Sequence, residues 1–158
     1  MSVSEDEFRS ALSRFASGVS VVTTKDAAGT LHGITVSAFC SVSLAPPLVL
    51  ICIEKATASH YAFLESNVFV VNILDENQEY LSERFAAPSS DKFGDIEFQP
   101  GLDSVPVLRN ALANLECRLT DAYRAGDHSI FIGEVEKVFI RDGEPLMYFR
   151  GSYRNPPI

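Results

Sequence analysis

Between Gly33 and Leu50 small hydroxyls recur through a β-prone run, at Thr35, Ser37, Ser41 and Ser43, until Pro46-Pro47 stops it. In a regular strand these four share one face, and Ile34, Val36, Ala38, Cys40, Val42 and Leu44 take the other. A face of hydroxyls beside accessible backbone suits a polar, phosphate-bearing ligand, although a solvated sheet face gives the same alternation. Glu54-Lys55-Ala56-Thr57-Ala58-Ser59 lies between an apolar run and a helical segment. Free backbone N–H groups and a positive helix end attract phosphate there, while capping alone accounts for Thr57 and Ser59. Arg84-Phe85 and Lys92-Phe93 each pair a cation with an aromatic ring, either as a phosphate clamp or as a solvated charge beside a core Phe. Gly126-Asp127-His128 precedes a strand, where the histidine either donates to a ligand amide or phosphate or is an ordinary turn residue. The closing Tyr148 to Arg154 segment is aromatic and basic, and either covers a ligand edge or docks on a partner subunit.

Other chemistries are missing. No Gly-x-Gly-x-x-Gly, P-loop or Gly-x-Ser-x-Gly elbow is present. His32, His60 and His128 are too scattered for a helical metal pair, so no metal is expected. The net charge of −8 argues against nucleic acid or an anionic membrane as partner. Cys40, Cys52 and Cys117 fit neither a disulfide framework nor a zinc knuckle, and free thiols point to a reducing compartment. The acidic N-terminus lacks an apolar signal region and no segment has the length of a membrane span, so a cytoplasmic protein is expected.

The elements that must position these residues follow from periodicity. Ser4 and Glu7 have capping-box spacing and Phe8, Leu12 and Phe15 recur at helical intervals, predicting a helix from about Glu5 to Ala16. Val19 to Thr24 and Leu31 to Thr35 read as a hairpin about an Asp26-Ala27-Ala28-Gly29 turn. The apolar run Leu48 to Ile53 predicts a central strand, followed by a helix through Ser66 capped by Thr57 or Ser59, and a strand from Val68 to Leu74. A helix is expected from Asp75 to Ala86, then a long loop to about Val105. Strands from about Ala113 to Ala122, Ser129 to Phe139 and Leu146 to Phe149 complete the chain. At 158 residues, nearly half apolar, this predicts one domain over 1–158, mainly β, an antiparallel barrel with helices laid against it.

Taken in order, Phe15-Ala16-Ser17-Gly18-Val19, Thr35 to Ser43, Pro46-Pro47, Phe69 to Leu74, Arg84-Phe85, Lys92-Phe93, Gly126-Asp127-His128 and Tyr148 to Tyr153 resemble the flavin reductase family over nearly the whole chain. The resemblance implies a split β-barrel of the FMN-binding type with flanking α-helices, and an NAD(P)H:flavin oxidoreductase. Such an enzyme passes hydride from NADH or NADPH to FMN or FAD and supplies reduced flavin to a separate oxygenase component. It implies flavin ring and ribityl contacts at Thr35, Val36, Ser37 and Ser41, and ribityl and phosphate contacts from Cys52 through Glu54, Lys55 and Thr57 to Ser59. Arg84, Phe85, Lys92 and Phe93 would flank the phosphate side or the loop over it, and His128 would position the nicotinamide nucleotide with Tyr153 and Arg154. Ala56 and Ala58 depart from the hydroxyl or basic residues many relatives carry there. A groove shared between two subunits implies a homodimer. Hydride transfer needs ring alignment and no side-chain acid or base, in keeping with the missing catalytic motifs. The competing possibilities are a non-catalytic flavin- or haem-binding protein on the same scaffold, and a pyridoxamine-phosphate oxidase-like or deazaflavin oxidoreductase.

Overall fold

A computed structural model describes residues 2–154. Helix α1, Glu5–Leu12, starts at the expected capping box, in which Glu7 N–H donates to Ser4 Oγ and Ser4 N–H donates to Glu7 Oε2. It ends short of Ala16 because the chain turns into strand β1, Ser17–Gly18. None of its residues is buried, so Phe8, Leu12 and Phe15 stand in the open instead of in a core.

Strands β2, Ser20–Lys25, and β3, Leu31–Val36, form the expected hairpin. Its turn is held by Asp26, whose Oδ1 accepts from the Ala28 and Thr30 amides, and by Gly29 at φ +88°, a region open to glycine. Then come β4, Phe39–Leu44; β5, Pro47–Glu54; α2, His60–Glu65; β6, Val68–Ile73; and α3, Glu79–Ala86, the last preceded by a 3₁₀ turn, Glu76–Gln78, where one continuous helix was expected. The expected loop holds a short hairpin, β7, Phe98–Pro100, with β8, Pro106–Leu108. Two thirteen-residue strands, β9, Ala113–Ala125, and β10, His128–Ile140, lead to β11, Met147–Phe149, and β12, Ser152–Arg154.

Seven strands make one antiparallel sheet in the order β3-β2-β6-β9-β10-β5-β4, while β1, β11 and β12 form a small second sheet. The two ends of the seven-stranded order, β3 and β4, are consecutive in sequence and joined only by Ser37 and Ala38. The sheet must therefore curl until its ends meet, giving a barrel with one seam. At that seam the Cys52 amide donates to Ala38 O at 3.1 Å, whereas β3 is paired along only one edge, with β2.

Two expectations are corrected here. The Leu48 to Ile53 run lies next to the sheet edge, not at its centre: Val49, Ile51 and Ile53 fill the barrel, and its unbroken apolar character reports partial cover on both faces. The hydroxyls do not share a face, because β3 ends at Val36 and a bulge between Ser41 and Ser43 resets the alternation.

Inside the barrel Val22, Val36, Val49, Ile51, Ile53, Phe69, Val71, Cys117 and Phe131 pack together, and Phe63 of α2 joins them. Outside it Val21, Leu74, Leu81, Phe85, Leu108 and Leu146 form a second core under α3. Adjacent Val21 and Val22 thus serve opposite cores, and β2 is buried on both faces.

Candidate functional site

The seam leaves β3 with an unpaired edge, and such an edge offers backbone N–H and C=O groups to whatever lies beside it. Beside it is a depression of about 210 Å³ lined by Ile34, Thr35, Val36, Ser37 and Ala38 from one side, Cys52, Ile53, Glu54 and Thr57 from the other, and His128 across its mouth. The grouping follows from register: His128 pairs with Glu54 at the end of β5, and the β5 chain crosses to Ala38 two residues earlier. Three segments distant in sequence are therefore neighbours because the barrel closes there.

Ser37, Glu54 and His128 also border a wider groove of about 690 Å³, walled by Phe8, Leu12 and Phe15 of the α1 region and by Tyr148 to Gly151. The joined space is polar at the seam, and its outer wall sets Phe8, Leu12, Phe15, Tyr148 and Phe149 among the charged Glu5, Arg9 and Arg150, a suitable cleft for a flat polar ring system.

The Thr35 hydroxyl, though at the depression, donates away from it to Ser82 O at 2.6 Å. Ser37 is exposed. Burial pushes the Cys52 thiol up from its ordinary range, with nearby Cys40 adding to the effect, so Cys52 is present as a neutral thiol. Thr57 Oγ1 donates to Glu54 O at 2.8 Å and closes the turn after β5. His128 Nδ1 is 2.7 Å from Asp127 Oδ1, and that hydrogen bond is the main reason the Asp127 carboxyl is held below its usual range. An ionised Asp127 accepts a hydrogen bond from Nδ1–H, and a ring protonated there alone presents Nε2 as an acceptor.

Other residues named from the sequence lie elsewhere. Lys55 Nζ donates to Gly126 O at 2.6 Å and its amide donates to Asp127 O, tying the β5 end to the β9–β10 turn. Ser59 is 3.2 Å from His32 Nδ1 and makes no side-chain cap hydrogen bond to α2, nor does Thr57, so the expected capping role is corrected. Ser41 is exposed on β4 away from the depression.

A third group stands behind β3. Arg84 is ion-paired to Asp95. Lys92 Nζ donates to Phe85 O at 2.8 Å and Gly33 O at 3.3 Å, and burial pulls its ammonium below the ordinary lysine range. Phe93 packs between Phe85 and Phe98. Phe85 is fully buried against Gly33, so the expectation that it touches the ligand is corrected: it backs β3 from the outer core. The Tyr153 hydroxyl is 2.7 Å from Ser82 Oγ, in the same backing layer, and Arg154 is exposed with Nε donating to Ser152 Oγ. The sequence reading missed Asp127 as the partner of His128 and the α1 apolar face as a groove wall. The adjacency of Asp127 to His128 was the available signal for the first.

Comparison with known proteins shows the family. Residues 12–157 match the family described as Flavin reductase like domain. A Flavin reductase (NADH) from Kitasatospora aureofaciens is 44% identical over 160 residues, covering 99% of this chain and 84% of that protein. The reductase component of a 4-nitrophenol 4-monooxygenase/4-nitrocatechol 2-monooxygenase from Rhodococcus opacus is 40% identical over 147 residues, covering 93% and 78%. The structure of the Streptomyces globisporus NADH:FAD oxidoreductase SgcE6 in complex with NAD and FAD fragments superposes with a TM-score of 0.89 at 35% identity, covering 94% of this chain and 90% of that one. The chain belongs to the flavin reductase family, and its fold is the family's split β-barrel.

Proposed function

We propose that this protein is an NADH-dependent flavin reductase that binds FMN or FAD at the β3–β5 seam and supplies reduced flavin to an oxygenase component. The observation that carries the reading is the joining, in a chain of this family, of an unpaired β3 edge, the Cys52 to Thr57 turn and His128 around one depression that opens into a larger groove. A flavin held there supplies a ring that accepts hydride from nicotinamide.

The protein's own part is to bind and align. Backbone groups on the free β3 edge and the Ser37 hydroxyl supply hydrogen bonds to a polar ring edge. Asp127 holds the His128 proton at Nδ1, which leaves Nε2 to accept from a carboxamide N–H of the nicotinamide nucleotide. Tyr148, Phe149 and the α1 wall exclude water from the outer side of the groove. The backing layer of Ser82, Phe85, Lys92 and Tyr153 fixes β3, which is how residues with no ligand contact set the alignment on which the rate depends.

The protein works as a homodimer in the cytoplasm. Supporting the first, Leu44 is 94% exposed, Ile140 82% and Phe15 79%, large apolar side chains that a second subunit would cover. Supporting the second, its three cysteines are free thiols, and among the described residues no helix is long and apolar enough to cross a membrane. Stopped-flow mixing of NADH with the flavin-loaded protein tests the activity: oxidised-flavin absorbance should bleach, and no bleaching with either nicotinamide nucleotide would refute it.

A further inference from the structure

At the other end of β3 from the seam link, four polar side chains converge. Asp26, 8% exposed, accepts four hydrogen bonds: from the Ala28 and Thr30 amides at 3.0 and 2.9 Å on Oδ1, and from His32 Nε2 at 2.9 Å and the Tyr61 hydroxyl at 3.0 Å on Oδ2. The His32 hydrogen bond is the largest cause holding the Asp26 carboxyl down at about 2. A carboxylate has no proton to give, so His32 carries one on Nε2.

The other ring nitrogen, Nδ1, is 3.2 Å from Ser59 Oγ. In the neutral ring Nδ1 is bare and can only accept the Ser59 proton. Ser59 then turns lone pairs toward any ligand, which phosphate oxygens do not bind. A proton on Nδ1 inverts the arrangement: the imidazolium donates to Oγ, and the Ser59 O–H is freed to donate outward. The other ionisable groups around the ring are Tyr61, edge-on at 5.3 Å, and Glu65, which accepts from the Ala27 amide, both on α2, while Lys92 holds the neighbouring Gly33 carbonyl.

The cluster lies within reach of the depression. His32 shares a strand face with Ile34 and Val36, which line it, and at roughly 3.3 Å per residue it is about 7 Å beyond Ile34. Ser59 follows the lining residue Thr57 by two positions. That is where the phosphate end of a ligand whose ring sits at the seam would arrive.

We propose that Asp26 and His32 make Ser59 a proton-linked phosphate contact, so that a nucleotide phosphate bound by Ser59 is accompanied by proton uptake at His32. The proposal rests on the assignment of the seam as the flavin site. His32 and Asp26 are positioning residues, acting through the direction of one hydroxyl proton.

Isothermal titration near pH 7.5, in two buffers of different ionisation heat, counts protons taken up on binding. A phosphomonoester with a second pKa of about 6 is then already nearly all dianion. FMN should bind with uptake of up to one proton and riboflavin with none. Ser59→Ala should abolish the uptake and bring FMN affinity down to within about twofold of riboflavin, and His32→Gln should do the same. Ser59→Ala leaves the Asp26–His32 pair intact, so its result stands if His32→Gln fails to fold. Uptake on NADH binding and not on FMN, still lost in Ser59→Ala, supports the device and assigns the phosphate to the nicotinamide nucleotide. Uptake that persists in Ser59→Ala overturns the proposal, as does binding of both FMN and NADH without uptake. The flavin-site assignment survives the latter result, because FMN has bound. Failure of both flavins to bind overturns that assignment and the proposal with it.

Discussion

Thr35 and Ser37, two residues apart, look alike in the sequence, and the structure gives them different work. The Thr35 hydroxyl is spent on Ser82 O, and Ser37 is exposed at the depression. Thr35→Val should therefore leave Ser82 O short of a donor and cost about 1 kcal/mol of stability in chemical denaturation. Ser37→Val should spare stability and weaken flavin binding by on the order of 1 kcal/mol in a fluorescence titration. Equal effects of the two on flavin affinity would contradict this division. His128→Ala should raise the KM for NADH several-fold while the flavin dissociation constant stays near that of the parent, because the ring is assigned to the nucleotide. If flavin affinity fell and KM held, His128 would belong to the other ligand.

At the scale of elements, β3 is held between the barrel seam and α3. Gly33 makes this possible, since a Cβ there would come within 2.5 Å of the Phe85 ring and collide with it. Phe85→Ala should cost about 3–5 kcal/mol, as for a large aromatic ring removed from a core. The loss should be accompanied by weaker flavin binding in the surviving folded fraction, since β3 would lose its backing. Circular dichroism melts with a parallel flavin titration check both, and a stable variant would show that α3 does not brace the strand. Among the described residues, the α1 helix is joined to the rest of the fold by a backbone hydrogen bond only past its C-terminal end, where the Arg150 amide donates to Ser13 O. Its apolar side is free to face a ligand or a second subunit.

For the whole molecule the acid limb of stability follows from the carboxylates. Asp26 is held at about 2 against an ordinary 3.8, and Asp75, Asp95 and Asp127 are also lowered by hydrogen bonds to their partners. A carboxyl whose folded pKa is depressed contributes stability above its unfolded value and loses it as pH falls through the folded one. The melting temperature should be level near neutrality and fall between about pH 4 and pH 2. Asp26→Asn should lower it near neutrality and flatten the acid limb, and an acid limb identical to the parent's would remove Asp26 from the account. In sedimentation, a monomer at micromolar concentration would refute the homodimer.

Much of this protein was legible in the chain before folding was considered. The Ser4–Glu7 cap, the Asp26 to Gly29 turn, the two-sided burial of Val68 to Ile73 and the long β9–β10 pair are local in origin, set by hydrogen-bonding chemistry and side-chain periodicity within a few residues. The residues around the site could be named because their types and order resemble a family. Periodicity could not say which of them meet. Whether Ser37 and Ser43 share a face depends on where a strand breaks, and that is decided by the barrel having to close between β3 and β4. Arg84, Phe85 and Lys92 sit behind β3 and do not line the depression because α3 packs on the outer face of β3, a choice made by which apolar surface is left to cover. The Asp26–His32–Ser59 chain joins a turn, a strand and a helix start up to 33 residues apart, and no spacing rule marks it. Contacts of that range come from the curl of the sheet and the placing of α2 over the barrel end, which only the packed structure determines.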